Sequence, residues 1–320
     1  MRILVTGGAG FIGSNFIRHI FSSHPDYEIV NFDLLTYAGN LNNLRVIDKN
    51  PRYTFIKGDI CDLDLVRATL DRFDIDAIMH FAAESHVDRS IVDASAFVRT
   101  NVLGTHTLLE CARLHDVPRF IHISTDEVYG SRTDGSFQES DALTPSSPYS
   151  ASKAGSDLLA LSYYITHKLP VIITRCTNNF GPYQHPEKLI PHFVTHLIEG
   201  KKVPVYGTGG NVRDWIHVND HCRALEFLLE RGCSGEIYNI GGGNEKTNLE
   251  ITNMILRLLK KDSSMIEFVT DRPGHDLRYS LDCSKIHAMG WRPGHTFGTA
   301  LQDTITWYLQ NEWWWRPLKK

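Results

Sequence analysis

The sequence lacks paired cysteines, long apolar runs and metal-binding histidine patterns, and each absence excludes a class of protein. None of its six cysteines forms a C-x-x-C pair, which argues against a zinc site or a disulfide framework. We therefore expect reduced thiols in a cytoplasmic protein. No apolar run reaches the roughly 18 residues of a membrane helix, so no membrane partner is expected. The sixteen histidines contain no H-E-x-x-H spacing, so no metal is expected either.

A concentration of basic charge is missing as well. The formal net charge is −4, and lysine and arginine form no continuous stripe. A protein that binds nucleic acid normally carries such a stripe, so we expect no nucleic-acid partner. Hydrophobic residues make up 42% of the 320 positions, which is an ordinary globular composition and enough for a large core.

Short apolar segments alternate with segments of helical periodicity over about the first 175 residues. This alternation predicts an α/β fold with a doubly wound parallel sheet. The predicted strands are 2–6, 28–33, 53–58, 77–81, 119–124 and 171–175. The predicted helices between them are 14–21, 63–72, 94–114 and 149–166.

Beyond residue 178 the alternation ends, and prolines and glycines become frequent. Strands are predicted at 213–218 and 236–240, and helices at 220–230, 249–260 and 299–310. No linker separates two halves, so we expect a smaller C-terminal lobe that interleaves with the first. The predicted dinucleotide-binding domain comprises 1–177 and 213–243, and the predicted substrate lobe comprises 178–212 and 244–320.

A glycine-rich turn follows the first predicted strand. Residues 6–14 read TGGAGFIGS, with Gly7, Gly10 and Gly13 in G-x-x-G-x-x-G spacing. Such a turn lets backbone approach a pyrophosphate at a helix N-terminus. Asp33, twenty residues beyond Gly13, ends the second strand, where it can accept hydrogen bonds from ribose hydroxyls. No arginine or lysine directly follows it, which favours NAD over NADP; a strand-capping role for Asp33 is the alternative.

Two further motifs can carry chemistry. Residues 149–153 read YSASK, and the i, i+4 spacing puts Tyr149 and Lys153 on one helix face. A nearby cation would lower the phenol pKa, so that Tyr149 could take a proton from a sugar hydroxyl. The alternative is a surface pair.

Residues 124–130 read STDEVYG and close the fifth strand, where ligands bind in such sheets. A turn is needed for Asp126 and Glu127 both to reach a substrate; a solvated acidic turn is the alternative.

Arg213 could pair with a phosphate, or it could form a structural salt bridge with Asp214. The charged turn at 271–275 could close over a pyrophosphate, or it could be a plain loop. Trp313–Trp315 near the C-terminus are expected to be a docking patch for the C-terminal tail and not part of a site.

Together these motifs resemble the extended short-chain dehydrogenases/reductases, and most closely the dTDP-glucose 4,6-dehydratases. The resemblance covers nearly the whole chain. It includes LTYAGN (35–40), FAAESHVDRS (81–90), STDEVYG (124–130) and NNFGPYQHPEKLIP (178–191), of which the last two are highly specific. Sugar-nucleotide 4-epimerases share the glycine turn and the Tyr/Lys pair but lack the Asp-Glu pair. The departures are small: Phe180 stands where tyrosine is usual, and Thr208 replaces a frequently charged residue.

The resemblance assigns roles to individual residues. The implied catalytic group is Thr125, Asp126, Glu127, Tyr149 and Lys153. The implied NAD-binding residues are Gly7, Gly10, Phe11, Ile12, Gly13, Asp33, Leu34, Leu35, Thr36, Asp59, Ile60, Phe81, Ala82, Ala83, Ser85, Thr100, Tyr149, Lys153 and Asn179. The implied substrate-binding residues are Ser85, Thr125, Asn178, Lys188, Leu189, Pro204, Tyr206, Arg213, Asn248, Arg272 and His275.

The resemblance also implies a reaction. An NAD-dependent hydro-lyase would convert dTDP-glucose to dTDP-4-keto-6-deoxyglucose and water, with internal hydride transfer from C4 to C6, in deoxysugar biosynthesis. A homodimer is expected through helices near 94–114 and 149–166. A nucleotide-sugar 4-epimerase, a dehydratase for another nucleotide-hexose and a silent NAD-binding scaffold are the alternatives. The downstream pathway and the choice of thymidine over other nucleotides stay open at this point.

Overall fold

The fold is described by a computed structural model that covers residues 1–271 and 274–319. Its strands, numbered along the chain, are β1 (Arg2–Thr6), β2 (Glu28–Asp33), β3 (Tyr53–Lys57), β4 (Ala77–His80), β5 (Phe120–Thr125), β6 (Val171–Cys176), β7 (Asn178–Phe180), β8 (Val203–Tyr206), β9 (Val212–His217), β10 (Ile237–Ile240), β11 (Glu245–Thr247) and β12 (Ile266–Val269). Its α-helices are α1 (Phe11–Ser23), α2 (Leu63–Arg72), α3 (Val87–Val92), α4 (Ser95–Phe97), α5 (Thr105–Leu114), α6 (Pro148–His167), α7 (Leu189–Ile198), α8 (Val218–Arg231), α9 (Asn248–Leu258), α10 (Ser284–Ala288), α11 (Phe297–Gln310) and α12 (Glu312–Trp315).

A parallel sheet in the order β10-β6-β5-β4-β1-β2-β3 forms the centre of the described chain. Its inner strands are buried on both faces because helices cover each side, which explains their continuous apolar runs. The order reverses between β1 and β4, and in such sheets ligands bind at this point, beyond the carboxyl ends of the strands. The predicted doubly wound α/β fold is therefore confirmed.

The helix predicted at 94–114 is not a single α-helix. A π-helical stretch, Val98–Gly104, separates α4 from α5. Gly104 packs against Ile60 so closely that an added Cβ would lie 2.5 Å from Ile60 Cδ1. This stretch also contains Arg99, which reaches Asp59, two residues beyond the end of β3 (Nη1 to Oδ2, 2.7 Å).

The second lobe contains a small sheet, β11-β9-β7, and the parallel pair β12-β8. An aromatic-rich core that includes Phe180, Trp215, Phe297 and Trp315 holds it together. Within the segment 213–243, β10 joins the main sheet, but β9 pairs with the small sheet. Helix α8, which lies between β9 and β10 in the chain, packs against α1 of the first lobe. The chain therefore passes between the lobes more than once. The domain boundaries given above stay a prediction. None of the helices in the described chain is both long and apolar enough to cross a membrane.

Candidate active site

The glycine turn between β1 and α1 is too crowded for larger residues. Gly7 has φ +70°, and an added Cβ there would lie 2.6 Å from the backbone nitrogen of Ala82. A Cβ on Gly13 would lie 2.4 Å from Gly7 O. Gly10 precedes α1 without a side-chain cap, and the first turn of α1 contains no acidic residue. The helix N-terminus is therefore open to an anion.

Asp33 ends β2 and is bonded to the glycine turn. Its Oδ2 accepts from Ala9 N at 2.9 Å, and its Oδ1 accepts from Leu35 N at 2.8 Å. Burial raises the pKa of this carboxyl, and the two backbone hydrogen bonds oppose that shift. Each oxygen keeps a further lone pair for a hydroxyl donor. Asp33 thus both shapes the turn and faces the adjoining cleft.

A cleft of about 320 Å³ runs along the carboxyl ends of β1, β2, β4, β5 and β6. The structure brings most predicted NAD-binding residues to its wall. Leu35 is not among the lining residues; it contributes its N–H to Asp33 instead. The predicted residues that do line the cleft are Gly7, Gly10, Phe11, Ile12, Gly13, Asp33, Leu34, Thr36, Asp59, Ile60, Phe81, Ala82, Ala83, Ser85, Thr100, Tyr149, Lys153 and Asn179.

Tyr149 and Lys153 lie in the cleft wall near the start of α6 and are buried. The ammonium of Lys153 donates to the carbonyl of Ile123 at 2.8 Å. Burial lowers the Lys153 pKa to about 8, against the opposing charge of Asp157. Burial also raises the pKa of the Tyr149 phenol well above its usual range, and Glu127 acts in the same direction.

The expected lowering of the Tyr149 pKa is therefore wrong for this structure. Sequence spacing identified the cation four residues away, but it could not reveal how fully the phenol is removed from water. A hydrogen bond with Thr125 acts in the opposite direction but does not outweigh burial.

The two acidic residues sit in a 3₁₀ turn, Asp126–Tyr129, that directly follows β5. The Thr125 hydroxyl caps this turn by accepting from Glu127 N at 3.3 Å, and it donates to Asp126 Oδ1 at 3.2 Å. Glu127 lines the cleft, whereas Asp126 lies just behind the lining and is 3% exposed. The required turn is present, but it brings only Glu127 to the cleft wall.

Asp126 is poised to hold a proton. Burial raises its pKa well above the usual range, and the neighbouring charge of Glu127 adds to the shift. Its Oδ2 has no hydrogen-bond partner in the described chain. A buried carboxyl of this kind keeps its proton to a higher pH than an exposed carboxyl does, so it can act as an acid.

Arg213 lies on β9 and is 6% exposed. Its guanidinium donates to the carbonyls of Val212 at 2.7 Å and Asp276 at 2.9 Å, and it stacks over the Tyr279 ring at 4.1 Å. Asp214 accepts instead from the backbone of Gly242 and Asn244, and no Arg213–Asp214 ion pair occurs among residues 1–271 and 274–319. The salt-bridge alternative for Arg213 is therefore wrong.

The predicted substrate residues divide into two groups. Ser85, Thr125, Asn178 and Lys188 line the cleft, and the Lys188 ammonium donates to the Ser85 carbonyl at 2.8 Å. The others belong to the second lobe and do not line the cleft: Leu189, Pro204, Tyr206, Arg213, Asn248 and His275.

Within the second group, His275 lies near Tyr206, with ring centroids 6.2 Å apart, and contacts Asp271. Arg272 lies outside the described residues. The charge of Arg213 lowers the pKa of Asp126, and the charge of Glu127 raises the pKa of Tyr279. The second-lobe group therefore lies next to the acidic pair.

Sequence reasoning missed several lining residues. Tyr183, Gln184, His185 and Glu187 fall within the NNFGPYQHPEKLIP motif, whose specificity could have indicated them. Trp314 could not be found in this way, because a tryptophan near the C-terminus normally indicates packing. The remaining missed lining residues are Phe32, Ala38, Gly39, Asn40, Gly58, Glu84, Ile123, Ser124, Cys176, Thr177 and Leu318.

Comparison with known proteins places this geometry in a family. The family model described as GDP-mannose 4,6 dehydratase matches residues 4–304. A dTDP-glucose 4,6-dehydratase of Actinoplanes sp. is 52% identical, and the match covers 98% of this chain and 100% of that protein. A solved structure of dTDP-glucose 4,6-dehydratase from Streptomyces venezuelae, with NAD and TYD bound, has a TM-score of 0.97 at 56% identity, covering 100% of both chains.

The UDP-glucose 4-epimerase of Thermus thermophilus, in complex with NAD, is more distant. It has a TM-score of 0.90 at 29% identity and covers 97% of this chain and 100% of its own. Both enzymes therefore share the fold of this chain, but the sequence identity to this chain is much higher for the dehydratase than for the epimerase. This chain belongs to the dTDP-glucose 4,6-dehydratase family of the extended short-chain dehydrogenases/reductases.

Proposed function

We propose that this chain is an NAD-dependent hydro-lyase that converts dTDP-glucose to dTDP-4-keto-6-deoxyglucose and water. The observation that carries the proposal is the acidic pair after β5: a buried Asp126 whose pKa is raised, beside a Glu127 that lines the same cleft as Tyr149. Elimination of water needs an acid and a base together, and this pair offers both.

The cleft fits NAD. The glycine turn leaves room for a pyrophosphate only because Gly7 and Gly13 have no side chain, and the open N-terminus of α1 faces it. Asp33 can accept from the ribose hydroxyls and would repel a 2′-phosphate. When bound, NAD supplies a hydride acceptor for C4, a positive charge that favours the Tyr149 phenolate, and later a hydride donor for C6.

Tyr149 removes the proton of the C4 hydroxyl, and Lys153 stabilises the phenolate from one turn along α6. Because burial keeps the free phenol protonated, its deprotonation depends on charge brought into the cleft on binding. Thr125, hydrogen-bonded to Tyr149, can contact the same sugar hydroxyl. Oxidation at C4 then acidifies the C5 proton.

Glu127 removes the C5 proton, since its carboxylate faces the cleft, and a proton returns to C5 when C6 has received its hydride. Asp126 donates its proton to the C6 hydroxyl, which leaves as water; because its side chain lies just behind the cleft lining, it must turn toward the cleft to do so. The acid and the base are adjacent in sequence, and the 3₁₀ turn directs their side chains differently. Each such group contributes roughly 10²–10⁴ in rate.

The second-lobe residues around Arg213 and His275 would bind the thymidine diphosphate. The Arg213 guanidinium is already held by two carbonyls, so it offers a preorganised donor group to a phosphate. The product would enter deoxysugar biosynthesis, for example of rhamnose.

A nucleotide-sugar 4-epimerase is the second candidate, because the epimerase structures share this fold. It needs the first proton transfer but no elimination, so Asp126 and Glu127 would have no task. A silent NAD-binding scaffold would have no need for Tyr149, Lys153 or the acids.

A homodimer in the cytoplasm completes the proposal. The helical face formed by Val98, Leu103, Leu158 and Ile165 is apolar, and each of these side chains is about half exposed. Its apolar character supports the expected dimer through α5 and α6 with the adjoining π-helical stretch. All six cysteines are free thiols, which supports a reducing compartment.

Product analysis tests the proposal. The purified protein is incubated with dTDP-glucose, UDP-glucose and GDP-mannose, and the products are identified by mass and NMR. Loss of one water from dTDP-glucose, with the C4 hydrogen recovered at C6, is expected. Formation of a C4 epimer without loss of mass would favour the epimerase instead.

A further inference from the structure

The C-terminal helix α12 reaches back to the glycine turn. Trp314 is 3% exposed, yet it lines the cleft together with Leu318. Its indole nitrogen donates to Asn43 Oδ1 at 2.8 Å, although the two residues are 271 positions apart. The tryptophan-rich end is therefore more than a packing patch.

Asn43 connects Trp314 to the glycine turn, because its side chain forms hydrogen bonds with both. It is 1% exposed, and its Nδ2 donates to the carbonyl of Ala9 at 2.9 Å. The indole N–H can only donate, so it requires the amide oxygen of Asn43 to face Trp314. The amide nitrogen is then left for Ala9. Trp314 thus fixes which end of the Asn43 side chain meets the turn.

Both peptide bonds of Ala9, the one before it and the one after it, are held by hydrogen bonds. Its carbonyl accepts from Asn43 and from Asn40 N, and its N–H donates to Asp33. Ala9 lies between Gly8 and Gly10, which have no side chains of their own to fix the backbone. The orientation of these two peptide bonds decides how the turn presents its N–H groups to a pyrophosphate.

Tyr183 strengthens the same connection. Its ring packs edge-on against Trp314 with centroids 5.6 Å apart, and Arg18 of α1 lies over it at 4.6 Å. Arg18 also donates to the Tyr183 hydroxyl and to the carbonyl of Asn43. Helix α1, which begins at the glycine turn, is thereby tied to the C-terminal helix.

We propose that Trp314 is a positioning residue for the dinucleotide, acting through Asn43 and Ala9 on the glycine turn. This inference rests on the proposed function in one respect, namely that the cleft binds NAD. It predicts that loss of the indole N–H weakens cofactor binding and leaves nucleotide-sugar binding unchanged.

The test compares Trp314→Phe with Trp313→Phe, a control that removes an indole of the same helix that is half exposed. NAD content after purification, NAD⁺ affinity by calorimetry and KM for dTDP-glucose are measured for both. We expect Trp314→Phe to bind NAD⁺ about tenfold more weakly, since it leaves a buried amide oxygen without its donor. Its activity should depend on added NAD⁺ and recover at saturation, with an unchanged KM for the sugar nucleotide. Trp313→Phe should behave as wild type.

Asn43→Leu and the double variant locate the effect. If Trp314 acts through Asn43, the losses of NAD⁺ affinity in the single variants will not add in the double variant. If Trp314→Phe does not fold, the NAD⁺ affinity of Asn43→Leu and hydrogen exchange of the wild-type protein test the inference instead. NAD⁺ should then slow exchange in both the glycine turn and residues 312–318.

Wild-type NAD⁺ affinity in Trp314→Phe, or additive losses, would overturn the inference. So would exchange at 312–318 that does not respond to NAD⁺. A wild-type protein that binds no NAD⁺ would overturn the proposed function itself, which keeps the two failures distinct.

Discussion

Replacing Glu127 with glutamine should separate the two halves of the proposed reaction. The substitution keeps the shape of the side chain but removes its negative charge from the cleft. That charge raises the pKa of both Asp126 and Tyr149. Its removal therefore lowers both pKa values, with opposite consequences for the two steps.

For elimination, both consequences are unfavourable. The C5 proton loses its base, which alone costs roughly 10²–10⁴ in rate. Asp126 also becomes easier to ionise, so a smaller fraction holds the proton that the C6 hydroxyl needs. Because the two effects act together, we expect turnover to fall toward the upper end of that range, about 10⁴-fold. For oxidation at C4 the consequence is favourable, because a Tyr149 with a lower pKa gives up its proton more easily.

The assay mixes Glu127→Gln with dTDP-glucose and follows the absorbance of the reduced cofactor together with product formation. Reduced cofactor should accumulate while product is nearly absent, and the C5 position should not exchange with deuterated water. Glu267→Gln, an isosteric change at an exposed glutamate, serves as the matched control. Full turnover in Glu127→Gln would refute the reasoning. Loss of cofactor reduction along with turnover would place Glu127 in the first step instead.

Three further predictions follow from the same geometry. Purified protein should contain NAD and not NADP, because the Asp33 carboxylate, held by Ala9 N and Leu35 N, lines the cleft and would repel a 2′-phosphate; tighter NADP binding by calorimetry would contradict this. Arg213→Ala should weaken substrate binding by more than about 1.5 kcal/mol with unchanged NAD content, and a normal KM would leave Arg213 a purely structural role. Lys153→Met should move the pH optimum of turnover upward, since the phenolate loses the cation that favours it. An unchanged pH profile of that variant would mean that Lys153 only positions the cofactor.

The main sheet could be predicted from the sequence because its strands are continuous apolar runs bounded by turns. Strands 2–6 and 28–33 and helix 63–72 coincide with β1, β2 and α2. Asp62 caps α2 through a hydrogen bond to Leu65 N, which is a local signal. The short strands β7, β8, β11 and β12 were not predicted, because polar residues or a proline interrupt each of them and none is a continuous apolar run.

The candidate site was predictable in composition but not in electrostatics. The motifs identified Tyr149, Lys153, Asp126 and Glu127 as residues. Which carboxyl faces the cleft, and how strongly burial opposes ionisation of the phenol, depend on side chains far away in sequence. Trp314 shows the same limit, because its link to the glycine turn crosses nearly the whole chain.

The return of the chain from the second lobe to the main sheet has a consequence for biosynthesis. The core beneath β1 and α1 includes Ile216, Leu225 and Tyr238. The ribosome synthesises these residues only after β7 and α7 of the second lobe. A fragment ending at residue 177 would expose the face of α1 that α8 covers. The same core also includes Ile286 and Trp291, so the nucleotide-binding half cannot complete its core on the ribosome until about residue 291 has emerged. Separate expression of either lobe should give aggregated chains, whereas two fragments split within an exposed loop should reassemble only when produced together.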